Sequence, residues 1–426
     1  MRAGAAPTHT EVVNTLPCGH PGRTGTLRLC PHLAVEEPPP STRHLTGVGT
    51  HYDLVCALCT PAALVEVCES CAERADRQSF PAGWCGEPGI LLRDQELAGS
   101  WVTRPCPARP LNDGCLAPMP DGWLALTEEG FVRIDGDDQW LVGPVELPEE
   151  TYKDIRDIPD RPRRSLHTSR DGRYAAVVSD YGQFATVVDL LEWLTVLDLD
   201  RDWNDNEFTR FPLAFLGEGE TAKVVAGTDW NRLDVFTLPG GELLTDRETA
   251  ATDHEHYLDY FQGALHVSPS ERALVVDGWV WMPVGAPVVV DVAAWLDGDP
   301  HAAEHGRSLT SRDWVWDRPI AWLGDTTVAV QGMGVSDDRM LDGVELYDAT
   351  TGRRTGMFAG PAGPMWAHDG LLYVRAEAGL EVWDPAEGAR IGLVAGFHPI
   401  AHSSGAFAEL RNDQLRIWVT GLEPGQ

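Results

Sequence analysis

From about residue 115 the chain repeats one alternation of apolar and polar positions: a Gly/Asp turn, an apolar strand, a polar turn, then a second strand ending in an aromatic residue or Asp. The unit reads MPDGWLALTEEGFVRID at 119–135 and SRDGRYAAVVSDYGQFATVVD at 169–189. It returns five more times, ending with AHDGLLYVRAEAGLEVWDPAEG at 367–388 and SSGAFAELRNDQLRIWVTG at 403–421. The turn ahead of the apolar strand falls near 121, 171, 219, 270, 325, 369 and 405, a mean spacing of about 47 residues, the length of a propeller blade. A single small antiparallel sheet cannot bury both its faces, whereas sheets set in a ring cover one another. The pattern therefore predicts an all-β, seven-bladed β-propeller with four antiparallel strands per blade.

Four segments, LEVWDPAEG, VELYDATTG, LDVFTLPGG and LRIWVTG, are apolar strands that end in an aromatic, mostly with a polar Gly turn behind them. They resemble the repeats of WD40-like propellers, and the resemblance covers residues 110–421. No copy has the Gly-His dipeptide of well-formed WD40 repeats, so the likeness is to bacterial relatives of similar build. It implies a binding scaffold and names no reaction. The last copy stops at LRIWVTG without a fourth strand, so the ring is expected to borrow one from ahead of blade one. Ile90–Leu92 and Ser100–Thr103 are the candidates.

All nine cysteines lie between Cys18 and Cys115. Eight Cys and His residues form four close pairs, Cys18/His20, Cys30/His32, Cys56/Cys59 and Cys68/Cys71. Two ligands one or two residues apart reach one ion from a tight turn, and two such pairs close the tetrahedral shell of structural zinc. The expectation is a zinc-finger-like, metal-binding module holding two structural Zn ions. Interleaved pairing would join the first pair to the third and the second to the fourth, an order similar to RING-type fingers. Sequential pairing would join first to second and third to fourth. The spacings leave both open. Residues 1–88 are thus expected to form the zinc-binding module with a flexible N-terminus, and 89–426 the propeller, with 89–110 as linker and closing strand.

Charge changes the picture of the partners. There are 33 Lys+Arg against 65 Asp+Glu, and residues 1–110 hold only 9 and 11 of these. The ring therefore carries nearly all the excess negative charge, which disfavours nucleic acid and anionic membrane as partners. No apolar run is long enough to cross a bilayer and the first residues lack an apolar signal segment, so the expected location is the cytoplasm.

No nucleophile elbow, phosphate loop or HExxH helix is present. The densest polar and aromatic stretch is 229–281: Asp229, Trp230, Asn231 and Arg232, then His254, His256, Tyr257, Asp259, Tyr260 and His266, then Asp277, Trp279 and Trp281. Aromatic rings beside Arg and Asp are the material of binding hot spots. The leading expectation is a non-enzymatic interaction scaffold with a protein or peptide partner on this stretch. A second is an enzyme of the central channel, which requires His254, His256, Asp259 and His266 to converge. A third is a RING-like ligase-type adaptor, which requires the interleaved zinc brace.

Overall fold

The computed structural model describes residues 24–29, 33, 41–45, 52–56, 64–68, 71, 90–146, 148, 163–202, 206–248, 256–281, 283–337 and 340–421. The chain divides into two compact units, the second of which runs on from Pro88.

The second unit holds seven sheets in chain order. Blade one comprises Leu116–Met119, Gly122–Thr127, Gly130–Asp135 and Asp138–Gly143, and blade two Arg163–Thr168, Tyr174–Asp180, Phe184–Asp189 and Leu194–Asp200. Blade three has three strands, Leu213–Leu216, Lys223–Asp229 and Arg232–Thr237, with a short bridge from Phe236 to Leu243 in place of a fourth. Blade four pairs Phe261–Val267 with Ala273–Val280, which then takes Val288–Asp291 and, further along, the two-residue strand Val284–Gly285. Blade five (Ile320–Trp322 to Arg353–Ala359) is a regular four-stranded antiparallel sheet, and blade six (Met365–His368 to Ala389–Ala395) has the same four strands with a fifth added at its edge.

The predicted turns fall between the first and second strand of every blade, one strand later than expected. The apolar strand that the repeat displays is the second one. Tyr174–Asp180 shows why: all seven residues are buried, because blades stack on both of its faces. The inner strands that come first are short, three to seven residues, and carry less of the pattern. Apolar cores fill the spaces between blades, as where Tyr174, Val178 and Val187 of blade two meet Phe211, Leu213 and Val224 at blade three.

Blade seven closes as anticipated. Gly99–Pro105 pairs antiparallel with Gln414–Thr420 over seven residue pairs, from Thr420↔Gly99 to Gln414↔Pro105. Trp101 anchors it edge-on to Phe397 at 4.9 Å, under the Arg416 guanidinium. The other candidate does something else. Leu91–Leu92 adds in parallel to Ala389–Ala395, so it widens blade six instead of closing the ring.

Blades five and six repeat one internal device. Glu345 and Glu381 are buried, each followed two residues later by an aromatic and nine residues later by an arginine. Glu345 accepts from Arg354 (3.0 Å), Arg312 (2.9 Å) and the Tyr347 hydroxyl; Glu381 accepts from Arg390 (2.7 Å) and the Trp383 indole (3.0 Å). The aspartate after the aromatic turns the chain: Asp348 accepts from the Thr350 and Thr351 amides, and Asp384 from the Ala386 and Glu387 amides.

The first unit has a small sheet in the order Ser41–Leu45, Tyr52–Cys56, Thr24–Leu29, Val65–Cys68. Thr24–Leu29 runs parallel to Tyr52–Cys56 and antiparallel to Val65–Cys68. Leu29, Leu33, Val67 and Cys71 are buried in it. Of the eight expected metal ligands, Cys18, His20, Cys30, His32 and Cys59 lie outside the described residues. Among the described residues no group of three His, Cys, Asp or Glu is arranged around a common ion position.

Candidate functional site

All the inner strands of the ring begin at one face, here the upper face, and line a central channel. Near this face the channel opens into a cavity of about 730 Å³, and toward the other into one of about 570 Å³; Trp366 and Ile400 border both. The upper cavity is of ligand size.

Its polar wall is assembled from three blades. Asp180 ends the second strand of blade two and is only 4% exposed. It accepts from Ser165 Oγ (2.5 Å) and the Phe211 amide (3.2 Å). Tyr181 follows in the left-handed conformation (φ 60°) and is buried. Its hydroxyl donates to Asp317, which also faces Arg210 Nε at 2.7 Å. Burial pushes the Asp317 carboxyl above its usual range, and Arg210 and the Tyr181 hydroxyl pull it back. The Arg163 guanidinium lies over the Tyr181 ring, 5.3 Å from its centre.

Blade four contributes His266; Asp277, opposite Ala264 on the neighbouring strand, is buried nearby without lining the cavity. His266 lines the cavity, and its Nε2 is buried without a hydrogen-bond partner. Burial, with Arg210 and His167 nearby, pulls its pKa down to about 4, so the ring is neutral at pH 7. Asp277 is 5% exposed and its Oδ2 also lacks a partner. Burial, aided by Asp317 and opposed by Arg210, Arg312 and the Arg318 amide, pushes its carboxyl up to about 8. It is thus mostly a neutral acid at pH 7. Close strand approach beside it requires glycine: a Cβ on Gly263 would sit 1.9 Å from the Asp277 carbonyl oxygen, and one on Gly278 2.2 Å from that of Phe261.

Next to the mouth an aromatic stack joins blades three and four. Trp279 lies flat on Phe261 (4.2 Å) and near-parallel to Trp316 (5.2 Å), while Trp230 leans on Phe261 at 4.8 Å. Trp281 continues the stack into solvent at 59% exposure, and Trp314, 67% exposed, stands on the loop leading to Trp316. Tyr260 is structural: its hydroxyl sits among the Val276 and Ala286 carbonyls and the Gly278 amide.

The residues singled out in 229–281 therefore separate. His266 lines the mouth; Asp277, Trp279, Trp281 and Trp230 belong to the blade-four wall and its stack. Asn231, Arg232, His256 and Tyr257 line a second, small pocket with Arg247, His301 and Glu304. There His256 stacks on His301 (3.9 Å) and meets His305 Nε2 at 2.7 Å. Asp229 turns back on the Trp230 amide at 2.7 Å. Asp259 lines neither cavity, and His254 lies outside the described residues. The two cavities share no lining residue, so the convergence needed for the channel-enzyme reading does not occur among His256, Asp259 and His266.

Sequence reasoning missed Arg163, Asp180, Tyr181, Arg210, Asp317 and Arg318. Two signals were available: Asp-Tyr-Gly at 180–182 as a hairpin turn, and Trp-Asp-Arg-Pro at 316–319 just ahead of an inner strand.

No protein-family model matches the chain, and no curated protein matches it. Among solved structures it is similar to a chain of "Crystal Structure of Mitotic Checkpoint Complex", with 9% identity, a TM-score of 0.49, and coverage of 80% of this chain and 98% of that one.

Proposed function

We propose that the chain is a protein-interaction scaffold whose upper face docks a protein or peptide segment bearing Arg or Lys. The observation that carries this is two exposed tryptophans of blade four, Trp281 just after Ala273–Val280 and Trp314 just after Arg312–Asp313. Large rings left in solvent over a packed aromatic base are expensive unless a partner covers them. Asp313 ends the short strand Arg312–Asp313 and Asp337 follows Thr327–Met333, on a chain with twice as many acidic as basic side chains, so a cationic partner is the complementary one. The test is selection of a displayed random-peptide library on the intact protein. Retained peptides should be enriched in Arg and Lys over the input, with the enrichment lost in a Trp281→Ala, Trp314→Ala variant. Retention without charge bias, or retention unchanged in the variant, rejects the reading.

The N-terminal module is proposed to hold two structural zinc ions, and the strand register supports a nested pairing of the ligands. Leu29 sits opposite Leu54 in the parallel pair, so Cys56 closes its strand at the end where the sequence passes from Leu29 to Cys30. Cys68 sits opposite Thr24, at the end that the Cys18/His20 pair precedes. Cys30, His32, Cys56 and Cys59 would then share one ion, and Cys18, His20, Cys68 and Cys71 the other. This pairing is not the interleaved brace on which the RING-like adaptor reading depends. Purified protein should carry two zinc ions per chain. Cys56→Ala with Cys59→Ala should remove one of them, and adding Cys30→Ala should remove no more. Loss of the second ion at that last step contradicts the nested scheme.

A further inference from the structure

We infer that the upper mouth of the channel is a binding site for an organic carboxylate carried on an apolar body, gripped by Arg163, Arg318 and His266. The inference is separate from the partner reading above, and the side chains that grip the ligand are different ones.

It rests on which charges at the mouth are already matched. Each carboxylate lining the cavity is committed. Asp180 is held by Ser165 and the Phe211 amide, Asp317 by Arg210 and Tyr181, and Asp113 by Arg375 at 2.8 Å. The cations are not all committed. Arg163 has no carboxylate within ion-pair distance among the described residues; its recorded contact is the face of Tyr181. Among the described residues Arg318 reaches only Asp337, at 3.6 Å, and that side chain is 68% exposed, so the pair is weak. The buried Nε2 of His266 has no hydrogen-bond partner among the described residues. In a neutral ring it is a donor in one tautomer.

Two guanidinium forks and a neutral imidazole around a recessed cavity match the oxygens of a carboxylate. Low-dielectric walls strengthen such contacts, and a local positive surplus on a strongly acidic chain concentrates anions only at that opening. Ile320, Met365, Trp366 and Ile400 form an apolar part of the wall. A fully hydrated inorganic phosphate would leave that wall uncovered, whereas an acid with a hydrocarbon or aromatic body would cover it. This is why the site is assigned to a carboxylate.

The experiment uses the full chain and thermal unfolding with titration calorimetry, at matched ionic strength set with chloride. The probes are 3-phenylpropionate, its uncharged amide, and inorganic phosphate. Saturating 3-phenylpropionate should raise Tm by about 2 °C, with little response to the amide or phosphate. Arg163→Gln with Arg318→Gln should weaken acid binding at least tenfold; Arg109→Gln, on the outer edge beside Asp413, should leave it unchanged. If the double variant unfolds, Arg163→Gln alone, at an exposed strand start, should weaken it severalfold. A leucine-ended tripeptide with free or amidated C-terminus separates the two sources. Tighter binding of the free-acid peptide than of 3-phenylpropionate assigns the carboxylate to a chain terminus, the reverse to a small acid. Equal shifts from acid and amide, a phosphate response matching the acid, or full affinity in the arginine variants overturns the assignment.

Discussion

Blades five and six and blade four are built from the same repeat but handle buried polarity in opposite ways. In blades five and six, Glu345 and Glu381 are each enclosed by an arginine and an aromatic donor, so the charge is closed off inside the blade. Blade four leaves Gln262 Oε1, His266 Nε2, Asp277 Oδ2 and Trp279 Nε1 buried without partners among the described residues. Native proteins satisfy nearly all such groups, so a cluster of exceptions in one blade is the local cost that the binding proposals above set out to explain.

The largest expected effect breaks the regular side. Glu345→Leu leaves Arg312 and Arg354 facing each other in the interior without their carboxylate. It should destabilise the ring by about 3–5 kcal/mol, read from the urea midpoint. Next comes a test of opposite pH slopes. Burial raises the Asp277 carboxyl to about 8, from an ordinary 3.8. The folded state therefore binds the extra proton between those values, and stability falls as pH rises through that window. Asp277→Asn should remove this slope and stabilise the protein at pH 7, by at most about 4 kcal/mol. Glu345 is held below its ordinary value because Arg312 and Arg354 outweigh the cost of burial. Its contribution is present above the unfolded pKa and lost as pH falls through the lower folded one. Urea titrations of wild type and Asp277→Asn from pH 2.5 to 8 check this, the Glu345 loss falling below pH 4.5 in both proteins; equal slopes of the two proteins between pH 4 and 8 would remove the contrast. The smallest effect is at the added strand. Asp94→Ala takes one carboxylate from the surface side of Arg390 and should cost about 1 kcal/mol or less.

The repeat was legible because the turns carry Gly and Asp and the second strands are continuous apolar runs. The device of blades five and six could also be read, as Glu, then an aromatic, then Arg at fixed offsets in VELYDATTGRR and LEVWDPAEGAR. The inner strands could not: Ile320–Trp322 and Ala401–Ser403 have three residues each, too few for any period. The site was half legible. A local reading found His266, Asp277 and the tryptophans because they cluster in sequence. It missed Arg163, Asp180, Arg210 and Asp317 because only ring closure brings positions so far apart to one opening. Density of polar and aromatic residues also misled, by grouping His256 with His266 when the fold assigns them to different cavities.

The closing strand has a consequence in time. Gly99–Pro105 is made early, but its partner Gln414–Thr420 is made about 310 residues later. At about 5–20 residues per second, the ribosome leaves that strand waiting for roughly 15–60 s. During this interval Trp101 and Val102 stand on an unpaired edge, the part of a sheet most prone to wrong pairing. A nascent chain stalled anywhere before residue 414 is a ring that cannot shut, and newly made protein should therefore need chaperone protection until its last strand emerges.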